Sequence, residues 1–384
     1  MLAGMERPSL ASLLLIARAP GIDARRLRAA WSPPGARPRD PRGRAPTASH
    51  PDDPVAALLA CELPPHTRAA LEKPDRRRLE ADLRWVSGHD CQVLACTDSG
   101  YPASLLDLSD APAVLFVQGN TAALARQQVA VVGARAASIS GRAIAREFAV
   151  GLAQAGLVIT SGLAVGIDAA AHAGALDAGG ATVAVCAQGL DRIYPQVNTA
   201  LAARIRAAGT LVSGRPPGTP PWPGLFPSRN RLIAALCCAT VVVEAAPESG
   251  SLATARMAEK LSRLVFAVPG SIRSHLAQGC HRLIRSGAVL AESAADVLQG
   301  LEIPNKNQCT SAAVMPLPDA GPAAGSLDKA AEMLLDAAGF EPVGIDFLVE
   351  RTGLAGPVIA SLLLVLELRG RVAPHPGGRY CRLT

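Results

Sequence analysis

A chain of 384 residues that is 49% hydrophobic is long enough for two or three domains, at least one of them with a full hydrophobic core. The 38 basic and 32 acidic residues give a formal charge of +6, which suits a polyanionic partner and excludes the charge density of a histone-like protein. The N-terminal residues lack the charged segment, apolar stretch and cleavage site of a secretory leader, and no run of about 18 apolar residues occurs, so we expect a cytoplasmic protein without a membrane span or a membrane partner.

The first 91 residues predict a small helical module of the SAM or helix-hairpin-helix kind. Helical apolar spacing covers Leu10–Arg18 and Ala24–Ala30, and the turn Pro20-Gly21-Ile22 between them looks like half of a helix-hairpin-helix. From about residue 32 to residue 54 the run SPPGARPRDPRGRAPTASHPDDP holds too much Pro, Arg and Gly to bury a core. We expect a disordered insertion there, whose arginines either contact nucleic acid or belong to a solvated linker.

Residues 92–302 predict an α/β domain. Short β-branched runs predict strands at Val129–Val132, Leu157–Thr160, Thr182–Cys186, Thr210–Ser213, Val241–Glu244 and Val265–Val268. Helical spacing between these runs covers Gly141–Gly156, Asp168–Gly179, Asn198–Ala208 and Ser251–Leu261. Such alternation is typical of parallel strands joined by helices. We therefore predict an open, doubly wound, Rossmann-like parallel sheet, in which ligands lie beyond the carboxyl ends of the strands.

The ends of the first two predicted strands carry residues that suit an anion. Gly133 follows the first strand and permits close backbone approach, and Arg135 projects from the same tip. The second strand leads into SGLAVGID, a strand-to-helix turn in which Ser161, Gly162 and Gly166 can hold a phosphate with free amides. Neither segment is a GxGxxG or P-loop motif, so we predict no nucleotide cofactor. A tight turn without a ligand is the alternative interpretation of each.

The fourth strand leads into a Pro-rich loop that ends in two arginines. The loop reads PPWPGLFPSRNR, which places Arg229, Asn230 and Arg231 in the first turn of a helix. Cations at a helix N-terminus are disfavoured by the helix dipole, which predicts an anionic ligand there. The alternative is that both arginines pair with carboxylates of the same domain. Trp222 and Phe226 predict base stacking, and core packing of Phe226 is an equally good interpretation.

The C-terminal part of the chain predicts a linker and a winged helix. Residues 303–325 combine four prolines with small residues, as linkers do. Within residues 326–384, helical stretches at Asp328–Ala338, Asp346–Arg351 and Pro357–Leu368 precede a hairpin formed by Arg371–Ala373 and Arg379–Leu383. The third helix is nearly all apolar, so it suits packing or contact with a partner better than reading base edges.

Taken together, these motifs resemble those of the DprA (Smf) family of DNA-processing proteins. The matching segments are VGAR at Val132–Arg135, SGLAVGID at Ser161–Asp168, GLDRIYP at Gly189–Pro195, FPSRNRLIA at Phe226–Ala234, VVEAAPESGSLATA at Val242–Ala255 and GCHRLIRSGA at Gly279–Ala288. The resemblance extends in order from about Asp98 to Leu301, and both flanks resemble the family's helical module and winged helix. The chain departs from the family pattern at Ala187, Gly214 and His281, where the family usually has Gly, Glu and Asn.

The resemblance implies a protein that binds incoming single-stranded DNA and hands it to the recombinase RecA during natural transformation. It also implies a homodimer formed through the Rossmann-like domain, with no cofactor and no catalysis. With the strand-end motifs, it predicts DNA-binding residues at Gly133, Arg135, Ser161, Gly162, Gly166, Phe226, Arg229, Asn230, Arg231, Gly250 and Ser251. The nine cysteines form no CxxC pair, and we predict no metal site.

Two other classes of protein share parts of this pattern. SGLAVGID and EAAPESGSLATA are also similar to motifs of Rossmann-like phosphoribohydrolases that cleave nucleoside monophosphates, whose sites carry a PGGxGTxxE loop. Here the corresponding loop, at residues 246–252, lacks the double glycine and the trailing carboxylate. Glu244, Asp168, Asp191 and His172 are expected to cap helices or order loops, so we predict no catalytic residue. The third interpretation, a sequence-specific transcription regulator, is supported by the C-terminal module alone.

Overall fold

The computed structural model describes residues 8–31, 53–303, 329–339 and 341–383. The chain divides into two compact units. The first comprises residues 1–137 and 141–305, and the second comprises residues 138–140 and 306–384. Almost all of the predicted insertion at 32–54 and of the predicted linker at 303–325 lies outside the described residues.

Five helices precede the sheet. They are α1 at Leu10–Arg18, α2 at Ala24–Ala30, α3 at Pro54–Leu59, α4 at Pro65–Glu72 and α5 at Arg76–Gly88. Side-chain oxygens of Ser9, Asp23, Asp53 and Asp75 cap four of these helices by accepting a hydrogen bond from an amide two or three residues further on. The leucines that these helices bury belong to one hydrophobic core with a face of the sheet, so the helical module and the sheet fold as one compact unit.

The sheet of the first unit has nine strands. They are β1 at Cys91–Ala95, β2 at Val114–Gly119, β3 at Gln128–Val132, β4 at Val158–Ser161, β5 at Thr182–Cys186, β6 at Thr210–Ser213, β7 at Ala239–Val242, β8 at Leu264–Ala267 and β9 at Val289–Leu290. The spatial order is β1-β2-β6-β5-β4-β3-β7-β8-β9. Strands β3 to β9 are parallel, whereas β1 and β2 add an antiparallel edge that the sequence analysis missed.

Seven helices follow or join these strands. They are α6 at Ile139–Gln154, α7 at Ile167–Asp177, α8 at Thr199–Ala208, α9 at Leu225–Leu236, α10 at Gly250–Lys260, α11 at Gln278–Arg285 and α12 at Ala294–Gly300. Alternate residues of β3 pack in two different hydrophobic cores, Val129 and Val131 in one and Ala130 and Val132 in the other. The helices therefore cover both faces of the sheet. The predicted doubly wound Rossmann-like fold is confirmed.

Strand β3 lies at the point in the sheet where the order of strand addition reverses. From β3 the chain adds β4, β5 and β6 on one side, and then returns to add β7, β8 and β9 on the other. In a sheet of this topology the connections that leave β3 and β7 diverge, so a crevice opens beyond their carboxyl ends. At that crevice Gly133 leaves no room for a side chain, because a Cβ would lie 2.6 Å from Cγ1 of Ile167.

The second unit is a winged helix. It consists of α13 at Lys329–Ala338, β10 at Val343–Gly344, α14 at Ile345–Thr352, α15 at Gly356–Leu368, β11 at Val372–His375 and β12 at Arg379–Arg382. The three strands pair in the order β10-β12-β11, and Leu334, Leu348 and Leu363 are buried beneath them in the core. The predicted C-terminal winged helix is confirmed. Within the described residues no single helix has the length and apolar composition to cross a membrane, and α14 with α15 would do so only as a pair bent by 109°.

Candidate nucleic-acid interface

A cleft of about 760 Å³ opens at the carboxyl edge of the sheet, next to the ends of β3 and β7. Its walls are the segment after β3, the first turns of α9 with the Pro-rich loop before them, and the N-terminus of α10. Seven of the eleven residues predicted to bind DNA line it, namely Gly133, Arg135, Phe226, Arg229, Asn230, Gly250 and Ser251. The sequence motifs thus converge on one cleft.

Arg135 carries the exposed positive charge of this cleft. Its guanidinium carbon lies 5.1 Å from the centre of the Phe226 ring, and none of the described carboxylates pairs with it. A cation held over an aromatic ring is stabilised by the ring quadrupole, and this contact uses none of the five N–H donors. Arg135 is therefore held in place while its donors remain available to an anion.

Three aromatic rings line the same cleft as this arginine. Trp222 is 56% exposed, Tyr194 is 41% exposed, and the Tyr194 and Phe226 rings lie 5.9 Å apart at an angle of 42°. Aromatic residues make up only 3% of the chain, so their concentration in one cleft is unusual for it. Exposed flat rings beside a cation form a surface on which unpaired bases can stack. The eleven predicted DNA-binding residues do not include Tyr194, which lies in the GLDRIYP motif, or Trp222, which the sequence suggested only as a stacking residue.

The N-terminus of α10 forms the opposite wall. Ser249 caps the helix, since its hydroxyl accepts a hydrogen bond from the amide of Ser251 at 3.3 Å, and Asn230 donates to the carbonyl of Gly250 at 3.2 Å. Gly250 is exposed, and no atom lies closer than 3.9 Å to the place of a Cβ there. First-turn amides lack acceptors within a helix and attract anions, so this wall offers backbone donors to a phosphate.

Arg229 is buried beneath the cleft instead of projecting into it. Only 6% of the residue is exposed, and Nη1 donates to the carbonyls of Val185, at 2.9 Å, and Gly162. Its Nε donates to Asn230 at 3.0 Å. Burial raises the pKa of Asp168, and the nearby Arg229 guanidinium and backbone amides oppose that shift. Arg229 therefore links the loop after β4 and strand β5 to α9.

Arg231 lies outside the cleft. Its guanidinium pairs with the carboxylate of Asp110, with Nη1 2.6 Å from Oδ2. Arg229 and Arg231 are two positions apart on α9, and such residues point about 200° apart around a helix axis. The structure therefore separates three arginines that the sequence predicted to bind DNA: Arg135 faces the cleft, Arg229 lies beneath it, and Arg231 lies outside it. Helical geometry alone could have shown that the last two face opposite ways.

The SGLAVGID turn lies beneath the cleft and supports the segment that carries Arg135. Ser161 is buried and donates to the carbonyl of Val131 at 2.7 Å, and the amide of Gly162 donates to Asp168 at 3.1 Å. Gly166 adopts φ +82°, and a Cβ there would overlap the carbonyl oxygens of Ala134 and Arg135. Ser161, Gly162 and Gly166 therefore do not line the cleft but support the segment that carries Arg135.

The conspicuous titratable residues serve the fold. The carboxylate of Glu244 lies against Gly141 in the first turn of α6, where a negative charge is favoured by the helix dipole. Asp191 accepts a hydrogen bond from the amide of Gly218 at 2.6 Å and pairs with Arg192. These contacts agree with the expected roles in capping helices and ordering loops.

His172 is fully buried next to β4 and β5. The hydroxyl of Thr182 donates to the carbonyl of Ile159, so it accepts from Nδ1 of His172 at 2.7 Å. Burial and the charge of Arg229 lower the pKa of His172 to about 3, so the ring is neutral at physiological pH. Its Nε2 has no hydrogen-bond partner in the described part of the chain.

Known proteins share both the sequence and the fold of this chain. The profile of DNA recombination-mediator protein A matches residues 92–302, and that of the DprA winged helix domain matches residues 318–378. Protein Smf of Escherichia coli strain K12 is 39% identical over 315 residues, which are 80% of this chain and 82% of Smf. The DNA processing protein DprA of Streptococcus pneumoniae is 46% identical over 205 residues, which are 53% of this chain and 72% of that protein.

Two solved structures extend this comparison. The X-ray structure of DprA from Streptococcus pneumoniae superposes with a TM-score of 0.58 at 40% identity and covers 64% of this chain and 84% of its own. The structure of DprA from Helicobacter pylori, described for a unique mode of binding single-stranded DNA, has a TM-score of 0.51 at 28% identity. It covers 56% of this chain and 97% of its own.

The fold defines a Rossmann-like protein that has a cleft at the carboxyl edge of a mainly parallel sheet and carries a C-terminal winged helix. This chain belongs to the DprA family of DNA recombination-mediator proteins. The resemblance inferred from the motifs is confirmed.

Proposed function

We propose that this protein binds single-stranded DNA in the cleft at the carboxyl edge of the sheet, with little sequence preference. The observation that carries the proposal is that Arg135, which has donors free for an anion, lines the same cleft as the exposed rings of Trp222 and Tyr194. Phosphates and bases alternate along a nucleic acid strand, so a surface that binds one strand needs both cations and flat apolar faces. The cleft combines the two.

Different residues of the cleft bind different parts of the DNA strand. Arg135 and the amide of Gly250 bind backbone phosphates, which carry no sequence information. Bases stack on Trp222 and Tyr194, and Phe226 holds the Arg135 guanidinium in position. Stacking needs unpaired bases, because bases in a duplex are already stacked on each other. The cleft therefore prefers a single strand to a duplex.

The finer role follows from the family. A recombination mediator delivers single-stranded DNA to a recombinase, and we propose that this protein hands its strand to RecA during natural transformation and acts as a homodimer. The description of the matching family, DNA recombination-mediator protein A, supports this role. We propose a binding protein and not an enzyme, because the loop at residues 246–252 lacks the double glycine and the trailing carboxylate of the phosphoribohydrolases, and the carboxylate of Glu244 lies against Gly141 at the start of α6.

A comparison of ligands tests the proposal. The affinity of the full chain is measured for a single strand, the matching duplex and a nucleoside monophosphate, with several base sequences of the single strand. We expect tight binding of every single strand, weaker binding of the duplex and no release of base from the monophosphate. Tighter binding of one duplex sequence than of any single strand would refute the proposal.

A further inference from the structure

A second pocket opens at the same edge of the sheet, on the other side of the first turns of α9. It has a volume of about 330 Å³ and lies among the hairpin loop after α1, the start of β2, the ends of β5 and β6, and α9. Arg229 lines both this pocket and the cleft, so one side chain separates them. None of the residues proposed to bind DNA in the cleft lines this second pocket.

Hydrogen-bond donors remain open in this pocket. Arg215 is exposed, and none of the described carboxylates pairs with its guanidinium. The guanidinium of Arg231 is already engaged, because its two Nη atoms donate to Asp110. Ser228, on the adjoining turn of α9, adds a half-buried hydroxyl. Arg215 and Ser228 are therefore the donors that this pocket offers to an oxyanion.

The acidic groups of the pocket are already engaged. Asp23 caps α2 by accepting from the amide of Arg26 at 2.7 Å, and both carboxylate oxygens of Asp110 accept from Arg231. Gly214 brings no side chain into the pocket, and a Cβ there would lie 3.1 Å from the Pro112 side chain. Four arginines and two aspartates line the pocket, so its lining carries more positive than negative side chains, which favours a phosphate.

We propose that this pocket is a second phosphate subsite, which binds a backbone phosphate of the strand that leaves the cleft past Arg229. The inference rests on the proposed function, because it extends the path of the same strand along the carboxyl edge of the sheet. A strand long enough to pass from the cleft to the pocket gains the contact with Arg215, and a shorter strand does not.

Two substitutions test the pocket without touching the cleft. Arg215→Ala removes the open cation. Gly214→Glu places a carboxylate among the donors, and Gly214→Gln has nearly the same size without the charge, so it controls for the contact with Pro112. Arg126→Ala removes an exposed arginine that precedes β3, at the amino edge of the sheet, and controls for the loss of a positive charge. Circular dichroism confirms that each variant is folded.

Affinity is measured with oligonucleotides of about 3 to about 20 nucleotides, which bracket the usual length of a single-strand site. We expect Arg215→Ala and Gly214→Glu to weaken binding of the longest strands by roughly tenfold, the effect of losing one hydrogen bond to a charged group. The same variants leave binding of the shortest strands unchanged, and Gly214→Gln and Arg126→Ala change neither.

The outcomes separate this inference from the proposed function. Unchanged affinity of Arg215→Ala and Gly214→Glu at every length, with Arg135→Ala still impaired, would overturn the second subsite and leave the cleft intact. Equal losses at all lengths would also overturn it, because the pocket would then be part of the first binding step. Stabilisation by deoxyadenosine monophosphate that depends on Arg215, without any dependence on strand length, would show a mononucleotide pocket instead. Unchanged binding in Arg135→Ala would refute the proposed function itself.

Discussion

The Arg229 guanidinium occupies the space that a side chain on Gly162 would need, and its Nη1 donates to the carbonyl of that same glycine. A Cβ at position 162 would overlap Nη1. The loop after β4 and helix α9 are therefore fitted to each other through a buried cation. The first test concerns the stability of this arrangement.

Arg229→Met removes a buried charge that lies near Asp168 and three acceptors. We expect the free energy of unfolding to fall by about 3–5 kcal/mol, because the buried carboxylate and carbonyls lose their partner. The matched control is Arg231→Met on the same helix, whose half-exposed pair with Asp110 contributes about 1 kcal/mol or less. Urea denaturation measures both variants. Equal losses in the two would contradict the structural role of Arg229.

Arg135→Ala should act on binding and not on stability. Removing one phosphate contact weakens binding to every base sequence alike and reduces the slope of log affinity against log salt concentration by roughly 0.7. The melting temperature should stay unchanged, since Arg135 is exposed and pairs with none of the described carboxylates. Titrations at several salt concentrations give the slope. A normal slope together with a lower melting temperature would assign Arg135 to the fold.

Trp222→Ala should weaken single-strand binding while leaving its salt dependence intact. Stacking of one base on an aromatic ring is worth about 1–3 kcal/mol, and the loss is independent of charge. Trp222→Phe keeps a flat ring and should recover most of the affinity. Fluorescence titration with a single strand measures the three proteins. Equal affinities of the alanine variant and the unmodified chain would remove Trp222 from the site.

Removal of residues 327–384 should leave most of the single-strand affinity. The exposed side of α15 carries apolar residues, among them Leu364 and Leu368, which are 58% and 82% exposed, so it offers few donors to DNA. The proposed phosphate contacts lie in the first unit. A binding assay compares the shortened and full-length proteins, with circular dichroism as the test of folding. Near-complete loss of affinity in a folded, shortened protein would show that the winged helix binds the strand.

His172 makes stability depend on pH. Its pKa is lowered from 6.5 to about 3 in the folded protein, so the unfolded chain binds a proton that the folded protein does not in the range between these values. The free energy of unfolding should therefore fall as pH drops from 6.5 towards 3, by at most about 1.4 kcal/mol per pH unit from this residue.

Urea denaturation at several pH values measures this dependence, and His172→Gln should make it flatter. His66→Gln, which changes an exposed histidine on α4, should leave the dependence as it is. An unchanged pH dependence in His172→Gln would show that other groups cause the loss of stability in acid.

The regular elements of this protein could be predicted because their signals are local. Buried parallel strands need short β-branched runs, and the predicted strands at 182–186 and 210–213 coincide with β5 and β6. The antiparallel strands β1 and β2 were missed. Strand β1 pairs with β2, and β2 pairs with β6. These pairings join segments that are far apart in the sequence, so no local pattern predicts them.

The sequence by itself determined that glycines and arginines gather at the carboxyl edge of a doubly wound sheet, because topology brings the ends of parallel strands together. Only the tertiary structure decided which arginine faces the ligand. Arg135 lies over Phe226 with its donors free, Arg229 is buried among carbonyl acceptors, and Arg231 pairs with Asp110. All three have the same side chain, so their roles depend on the partners that packing places within reach, and those partners come from distant parts of the chain.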